Sequence, residues 1–163
     1  MHILELRLPT NDLASQRAFY VEKLALPLAE AHDDEFSLQA GTSRLRFTAS
    51  DEIPLPIYHF AFNIPRSQFA SARTWVEARA PLLSDANGAQ SWHFERWNAD
   101  AFYFYDAAGN IVEYIARQTL EDDTGTAFTP ADLRCISEIG LVVEDVRAAG
   151  RMFSEALGLP VYD

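Results

Sequence analysis

The chain has 163 residues, 48% of them hydrophobic and 12% aromatic, which is enough apolar material for one globular domain or two small fused halves and too much for a disordered segment. Thirteen basic against 24 acidic residues give a net charge of −11, which opposes binding to nucleic-acid phosphates and to anionic membrane surfaces. Cys135 is the single cysteine and excludes an intrachain disulfide, the first residues lack the zones of a signal peptide, and no apolar run approaches the ~20 residues of a membrane helix, so a soluble protein of the reducing cytoplasm is expected.

Leu4-Glu-Leu-Arg-Leu8 alternates as a strand does and places Glu5 and Arg7 on one face. A turn follows, Asp12 caps a helix with Leu13, Ala14, Ala18, Tyr20 or Val21 and Leu24 at helical spacing, and Pro27 stops it. Residues 27–30, 35–40 and 44–48 read as short strands separated by Asp33-Asp34 and Gly41.

Residues 51–56, with two prolines and two acidic residues, form a linker. Residues 57–65 then make a strand with two unlike faces: Tyr58, Phe60, Phe62 and Ile64 on one, His59, Ala61 and Asn63 on the other. Ser67 is placed to cap a helix reaching about Ala80, with Phe69, Ala72, Trp75 or Val76 and Ala80 inward. Residues 91–97 alternate as a strand, putting His93, Glu95 and Trp97 on one face. Residues 101–105 and 111–116 flank Asp106-Ala-Ala-Gly-Asn110, a hairpin loop in which Gly109 and Asn110 supply positive backbone torsions. In the last strand Val112 and Tyr114 oppose Glu113. Strand, helix and three strands are thus written twice, over 1–50 and 57–118.

A third round begins after an acidic, threonine-rich connector, residues 121–132. Glu138 onward repeats Glu5 onward without a gap: Glu5 with Glu138, Leu8 with Leu141, Asp12 with Asp145, Glu22 with Glu155, and Leu24-Ala-Leu-Pro27 with Leu157-Gly-Leu-Pro160. Residues 133–163 are therefore a partial third module of strand and helix. Ile136, Ile139, Leu141 and Val143 on the strand, with Val146, Met152, Phe153 and Leu157 on the helix, lead us to expect it ordered and buried. It would lie on the open edge of its own sheet or be exchanged with a second chain, and a homodimer is the favoured expectation.

Asp12-Leu, Ala18-Phe-Tyr20, Leu24-Ala-Leu-Pro27, His59-Phe-Ala-Phe62 and Tyr105-Asp-Ala-Ala-Gly-Asn-Ile-Val-Glu113, in the order βαβββ, resemble the vicinal oxygen chelate superfamily of glyoxalase I, bleomycin-resistance proteins and extradiol dioxygenases. The resemblance covers roughly residues 1 to 117. It implies an α+β fold with paired βαβββ modules forming a curved eight-stranded half-barrel, here with the partial third module added. It also implies a divalent metal held by the first and last strands of each module. Carried over, those slots fall on Glu5, on Arg46 or a neighbour, on His59 and on Glu113. Arg46 departs from the pattern, because a guanidinium cannot ligate a cation.

The remaining set, Glu5, His59 and Glu113, lies on the less apolar face of three strands that a curved sheet could bring round one cup, and it suits Mn, Fe, Ni or Zn. The first functional reading is a metal-dependent lyase, isomerase or dioxygenase acting on a small oxygen-rich molecule. Glu113 would then move a proton, His93 would serve as a further acid or base at the rim, and Arg7, Arg46, Trp97 and Tyr103 would contact substrate. The preferred reading of His93 itself is a solvated strand edge with Trp97 packing over it. The alternative is a metal-free small-molecule binder, in which Arg7 and Arg46 neutralise Glu5 and Glu113 beside a groove of Trp92, Trp97, Phe102 and Tyr103. A third reading makes the chain an assembly module that docks through its third unit.

Overall fold

A computed structural model describes residues 3–52, 55–120, 125 and 127–158; His2 lies outside them. The first unit runs β1 (Glu5–Thr10), α1 (Leu13–Arg17, continuing as a π-helical segment Ala18–Lys23), β2 (Leu28–Ala31), β3 (Glu35–Ala40) and β4 (Ser43–Ala49). The second runs β5 (His59–Asn63), α2 (Phe69–Glu77), β6 (Trp92–Phe94), β7 (Ala99–Tyr105) and β8 (Ile111–Arg117); β9 (Cys135–Gly140) and α3 (Val146–Leu157) follow. Within each unit the first and last strands pair in parallel, β1 with β4 and β5 with β8, while the hairpin-linked strands pair antiparallel.

The class is α+β, but the strands are divided over two open sheets, ordered β1-β4-β3-β2 and β6-β7-β8-β5-β9, rather than joined in one eight-stranded sheet. The reason is β9, which takes the free edge of β5 with Phe60 opposite Ile139 and Phe62 opposite Ile136. It meets the first unit only at a seam. There Ile3 bridges Ile136, the Ile136 amide donates to Ser43 Oγ at 2.9 Å, and Ser43 Oγ donates to the Ile3 carbonyl at 2.6 Å. Gly41 is required at this seam: its φ is +57°, and a Cβ there would stand 2.0 Å from the Arg134 carbonyl oxygen.

The inward faces are those that alternation picks out. Leu8, Phe36, Leu38, Leu45 and Phe47 of the first sheet and Phe60, Phe62, Phe102, Phe104 and Tyr114 of the second form one buried cluster with Phe19, Tyr20 and Leu24 of the first helix and Ala72 and Val76 of α2. Each fully buried phenylalanine contributes roughly 1.5–3 kcal/mol over its exposed state. Tyr20 stacks on Phe47 at 5.2 Å, and Phe19 meets Phe104 at 6.3 Å, so the first helix ties one unit to the other.

A buried carboxylate completes that tie. Asp106, in the β7–β8 loop, accepts hydrogen bonds from Gln16 Nε2 at 2.8 Å, Tyr20 OH at 3.0 Å, the Ala108 and Asn110 amides at 2.9 Å each, and Asn110 Nδ2 at 2.9 Å. Gly109 has the expected positive φ of +82°; Asn110 does not share it. The Asn110 side chain is used for bonding instead, since its Oδ1 accepts from the Tyr58 amide at 3.0 Å.

Asp12 caps α1 as expected, its carboxylate accepting from the Ser15 amide. Ser67 does not cap α2: it sits in a 3₁₀ turn, Arg66–Gln68, and the helix starts after Gln68 without a side-chain cap. Residues 91–97 are a strand only as far as Phe94, because Glu95–Trp97 form a 3₁₀ turn closed by Asn98 at φ +44°. The first helix ends at Ala25 with φ +56°, where the repeat carries Gly158 at φ +62°. Of the third unit, residues 133–158 are described and only partly buried, and 159–163 lie outside the described residues. Leu133 and Ile136 are in the core, β9 is paired within its own chain, and α3 leaves Val146, Met152, Phe153 and Leu157 exposed.

Candidate functional site

On the five-stranded sheet the face opposite the core has a floor of small residues. Ala61 of β5, Ala99 and Ala101 of β7 and Ile115 of β8 form a second buried cluster, with Phe94 and Tyr103 folded over it. Register then fixes what stands around Ala61. Glu113 lies beside it on β8, Tyr103 beside Glu113 on β7, and Glu138 on its other flank on β9. His59 is one step along β5 on the same face.

These side chains are joined. His59 Nε2 and Glu113 Oε2 are 3.0 Å apart, and Tyr103 stands opposite Glu113 across the β7–β8 pair. Glu113 is only 3% exposed, whereas the His59 side chain is 37% exposed, so a buried carboxylate holds an imidazole that faces outward. Hydrogen bonding to Glu113 raises the His59 pKa above its ordinary 6.5 against the opposing effect of burial. Burial first, and then the charge of Glu113, pushes the Tyr103 phenol well up, so it remains a donor. Glu138 is ion-paired with Arg117, and burial together with the nearby Glu113 raises its carboxyl pKa. Trp92 meets Tyr103 edge-on at 5.3 Å, and Trp97 packs on Phe94 at 5.4 Å. Asn63, next along β5, has a buried Oδ1 without a hydrogen-bond partner among the described residues.

The structure thus brings together His59, Glu113 and Tyr103, with Trp97 at the rim. It places Glu5 and Arg7 elsewhere. Glu5 belongs to the four-stranded sheet, 3.4 Å from Arg46 Nε and 3.6 Å from Arg7. Arg46, 7% exposed, pairs with Glu30 at 2.8 Å and with Glu35 as well. The first unit therefore neutralises its own carboxylates, and Glu113 takes no guanidinium from it. His93 is opposite Asp100 in the β6–β7 register and bonds it through Nδ1 at 2.9 Å, on the face away from Trp92 and Tyr103. Phe102 is core, not groove lining. Two open surface depressions, one on α3 and one beside α1, lie away from this site.

Glu138 is the site residue that the expected set omits. Its signal is present in the chain: the gapless repeat aligns it with Glu5, and β9 carries it to the place beside β5 that Glu5 was expected to fill.

The donor set here fits the expected divalent metal poorly. His59 and Glu113 face each other, Glu5 and Glu138 are tied to arginines, and among the described residues no three His, Cys, Asp or Glu side chains are grouped to hold an ion.

No family model matches the chain, and no curated protein matches it in sequence. Solved structures do match in fold. The glyoxalase/bleomycin resistance protein/dioxygenase of Alicyclobacillus acidocaldarius is 22% identical, with a TM-score of 0.54 over 71% of this chain and 91% of that one. The lactoylglutathione lyase of Agrobacterium tumefaciens is 21% identical, with a TM-score of 0.56 over 70% and 92%. A glyoxalase/bleomycin resistance protein/dioxygenase from Nocardioides is 21% identical, with a TM-score of 0.57 over 78% and 89%. The chain has the vicinal oxygen chelate fold.

Proposed function

We propose that this chain binds a small, oxygen-rich molecule on the Ala61 face of its five-stranded sheet, with the His59–Glu113 dyad as the acid–base centre. The observation that carries this is the buried Glu113 carboxylate aligned on an outward-facing imidazole at 3.0 Å. Glu113 orients the ring through Nε2, which leaves Nδ1 to meet a ligand hydroxyl and accept or return its proton. Trp92 and Tyr103 offer aromatic edges against which a flat ligand can lie. The fold supports the ligand class, since similar structures are named as a lyase and as dioxygenase-type proteins.

The second reading is the metal-dependent lyase, isomerase or dioxygenase. It rests on the register that sets Glu138, Ala61 and Glu113 in one row beside His59, and the two carboxylates would have to leave Arg117 and His59 to share an ion. Its chemistry would be Lewis-acid polarisation of a ligand oxygen.

Elemental analysis of protein purified without added metal, followed by saturation-transfer NMR against vicinal diols, hydroxy acids and diketones, separates the two. Binding by metal-free protein that His59→Ala abolishes supports the first reading. Binding only after Mn, Fe, Ni or Zn is restored supports the second, and no binding in either state removes both.

A further inference from the structure

We infer that Glu138, brought to the site by β9, is a ligand-contacting residue, so that the site is built from the second and third units rather than from the first two. This rests on the reading of the Ala61 face as the ligand site. Three observations converge on it.

The first is placement. Glu138 and Glu113 flank Ala61 on opposite sides, and only a methyl group stands between the two carboxylates. Each strand step is about 4.8 Å, so a small molecule lying over Ala61 reaches both. The second is availability. Glu138 gives Oε1 to Arg117, its side chain stays 33% exposed, and Oε2 has no hydrogen-bond partner among the described residues.

The third is the contrast between the two copies of the repeat. In Glu5-Leu-Arg7 the arginine two residues on lies 3.6 Å from the glutamate, and Arg46 closes its other side. In Glu138-Ile-Gly140 that arginine is a glycine opposite His59, where a Cβ would lie 3.2 Å from His59 Cβ and 3.5 Å from Nδ1. The first copy is thus closed by its own guanidiniums. The third keeps space beside the imidazole and an open carboxylate edge, which is what a ligand needs and the fold does not.

A contacting role and a scaffolding role predict different patterns. If Glu138 only pins β9 through Arg117, removing either partner has the same effect. If the carboxylate meets the ligand, Arg117→Met leaves it in place and freer. The probe is 4-nitrocatechol, a vicinal diol whose absorbance reports its surroundings, titrated into the full chain and into Glu138→Gln, Arg117→Met, Glu5→Gln and His59→Ala, each checked for fold by circular dichroism. Glu138→Gln should weaken binding about ten- to hundredfold, as loss of a charge-assisted hydrogen bond does. Arg117→Met should bind as tightly as the parent or more tightly, and Glu5→Gln should match the parent. Equal weakening by Glu138→Gln and Arg117→Met, or a parent-like affinity for Glu138→Gln, overturns the inference while leaving the site reading intact. Failure of the parent to bind, or parent-like binding by His59→Ala, overturns the site reading and this inference with it.

Discussion

Asp106→Ala tests the joint between the two units on which the site depends. The loop that Asp106 organises connects β7 to β8, the strands carrying Tyr103 and Glu113, and its carboxylate fastens that loop to the first helix. The substitution strands five donors, of which those of Gln16, Tyr20 and Asn110 belong to buried residues. One unsatisfied buried donor costs about 1–3 kcal/mol, and breaking a buried charged network costs about 3–5 kcal/mol. Because the donors share one acceptor their costs do not add, and the expected loss is about 3–5 kcal/mol. With a urea slope near ~2 kcal/mol per molar, the unfolding midpoint should fall by roughly 2 M. Tyr20→Phe alone should cost about 1–2 kcal/mol and almost nothing in the Asp106→Ala background, where the hydroxyl has already lost its acceptor. A midpoint shift below roughly 0.5 M, or additive costs in the double mutant, would refute the clamp.

Gly41→Ala should destabilise by about 3 kcal/mol or more, since it adds a Cβ 2.0 Å from the Arg134 carbonyl to a left-handed backbone; hydrogen exchange should show β9 losing protection before β3 and β4. Ala25→Gly should stabilise by ~0.5–1 kcal/mol in urea unfolding, because φ is +56° there and the relief of the Cβ clash exceeds the added freedom of the unfolded chain. His59, whose folded pKa is raised, contributes stability that is fully present below its unfolded value of about 6.5 and is lost as the pH rises through the folded value. The urea midpoint should therefore decline more steeply as the pH rises above about 6.5 in the parent than in His59→Gln; equal slopes would mean that the dyad does not form.

The fold was legible because alternation and helical spacing are local. Phe60, Phe62, Val112 and Tyr114 face the core and His59 and Glu113 face away, as period two requires. Which strands meet at the seam was not legible, because β1 and β9 carry nearly the same pattern and only tertiary contacts decide between them. Ser43 Oγ and the close approach at Gly41 seat β9 at the edge of β5, and Glu138 takes the position expected of Glu5. His93 stands at an exposed strand edge, the reading preferred for it, and not at the mouth of the site. Alternation was extended through Glu95 to Trp97, whereas Asn98 in the left-handed region ends the strand and sets Trp92, not His93, on the site face. The exposure of α3 likewise escapes periodicity, since an amphipathic pattern states which face is apolar and not whether anything covers it.

The claim that ligand binds at the His59–Glu113 dyad is tested most directly by the indole resonances of the three tryptophans in a ¹⁵N-labelled chain. Trp92 and Trp97 border the site through Tyr103 and Phe94, while Trp75 is on α2, its ring covered by the Arg79 guanidinium at 3.5 Å. Titration with 4-nitrocatechol should move the Trp92 and Trp97 signals, leave Trp75 in place, and lose its effect in His59→Ala. Movement of Trp75 alone, or none of the three responding, would contradict the account.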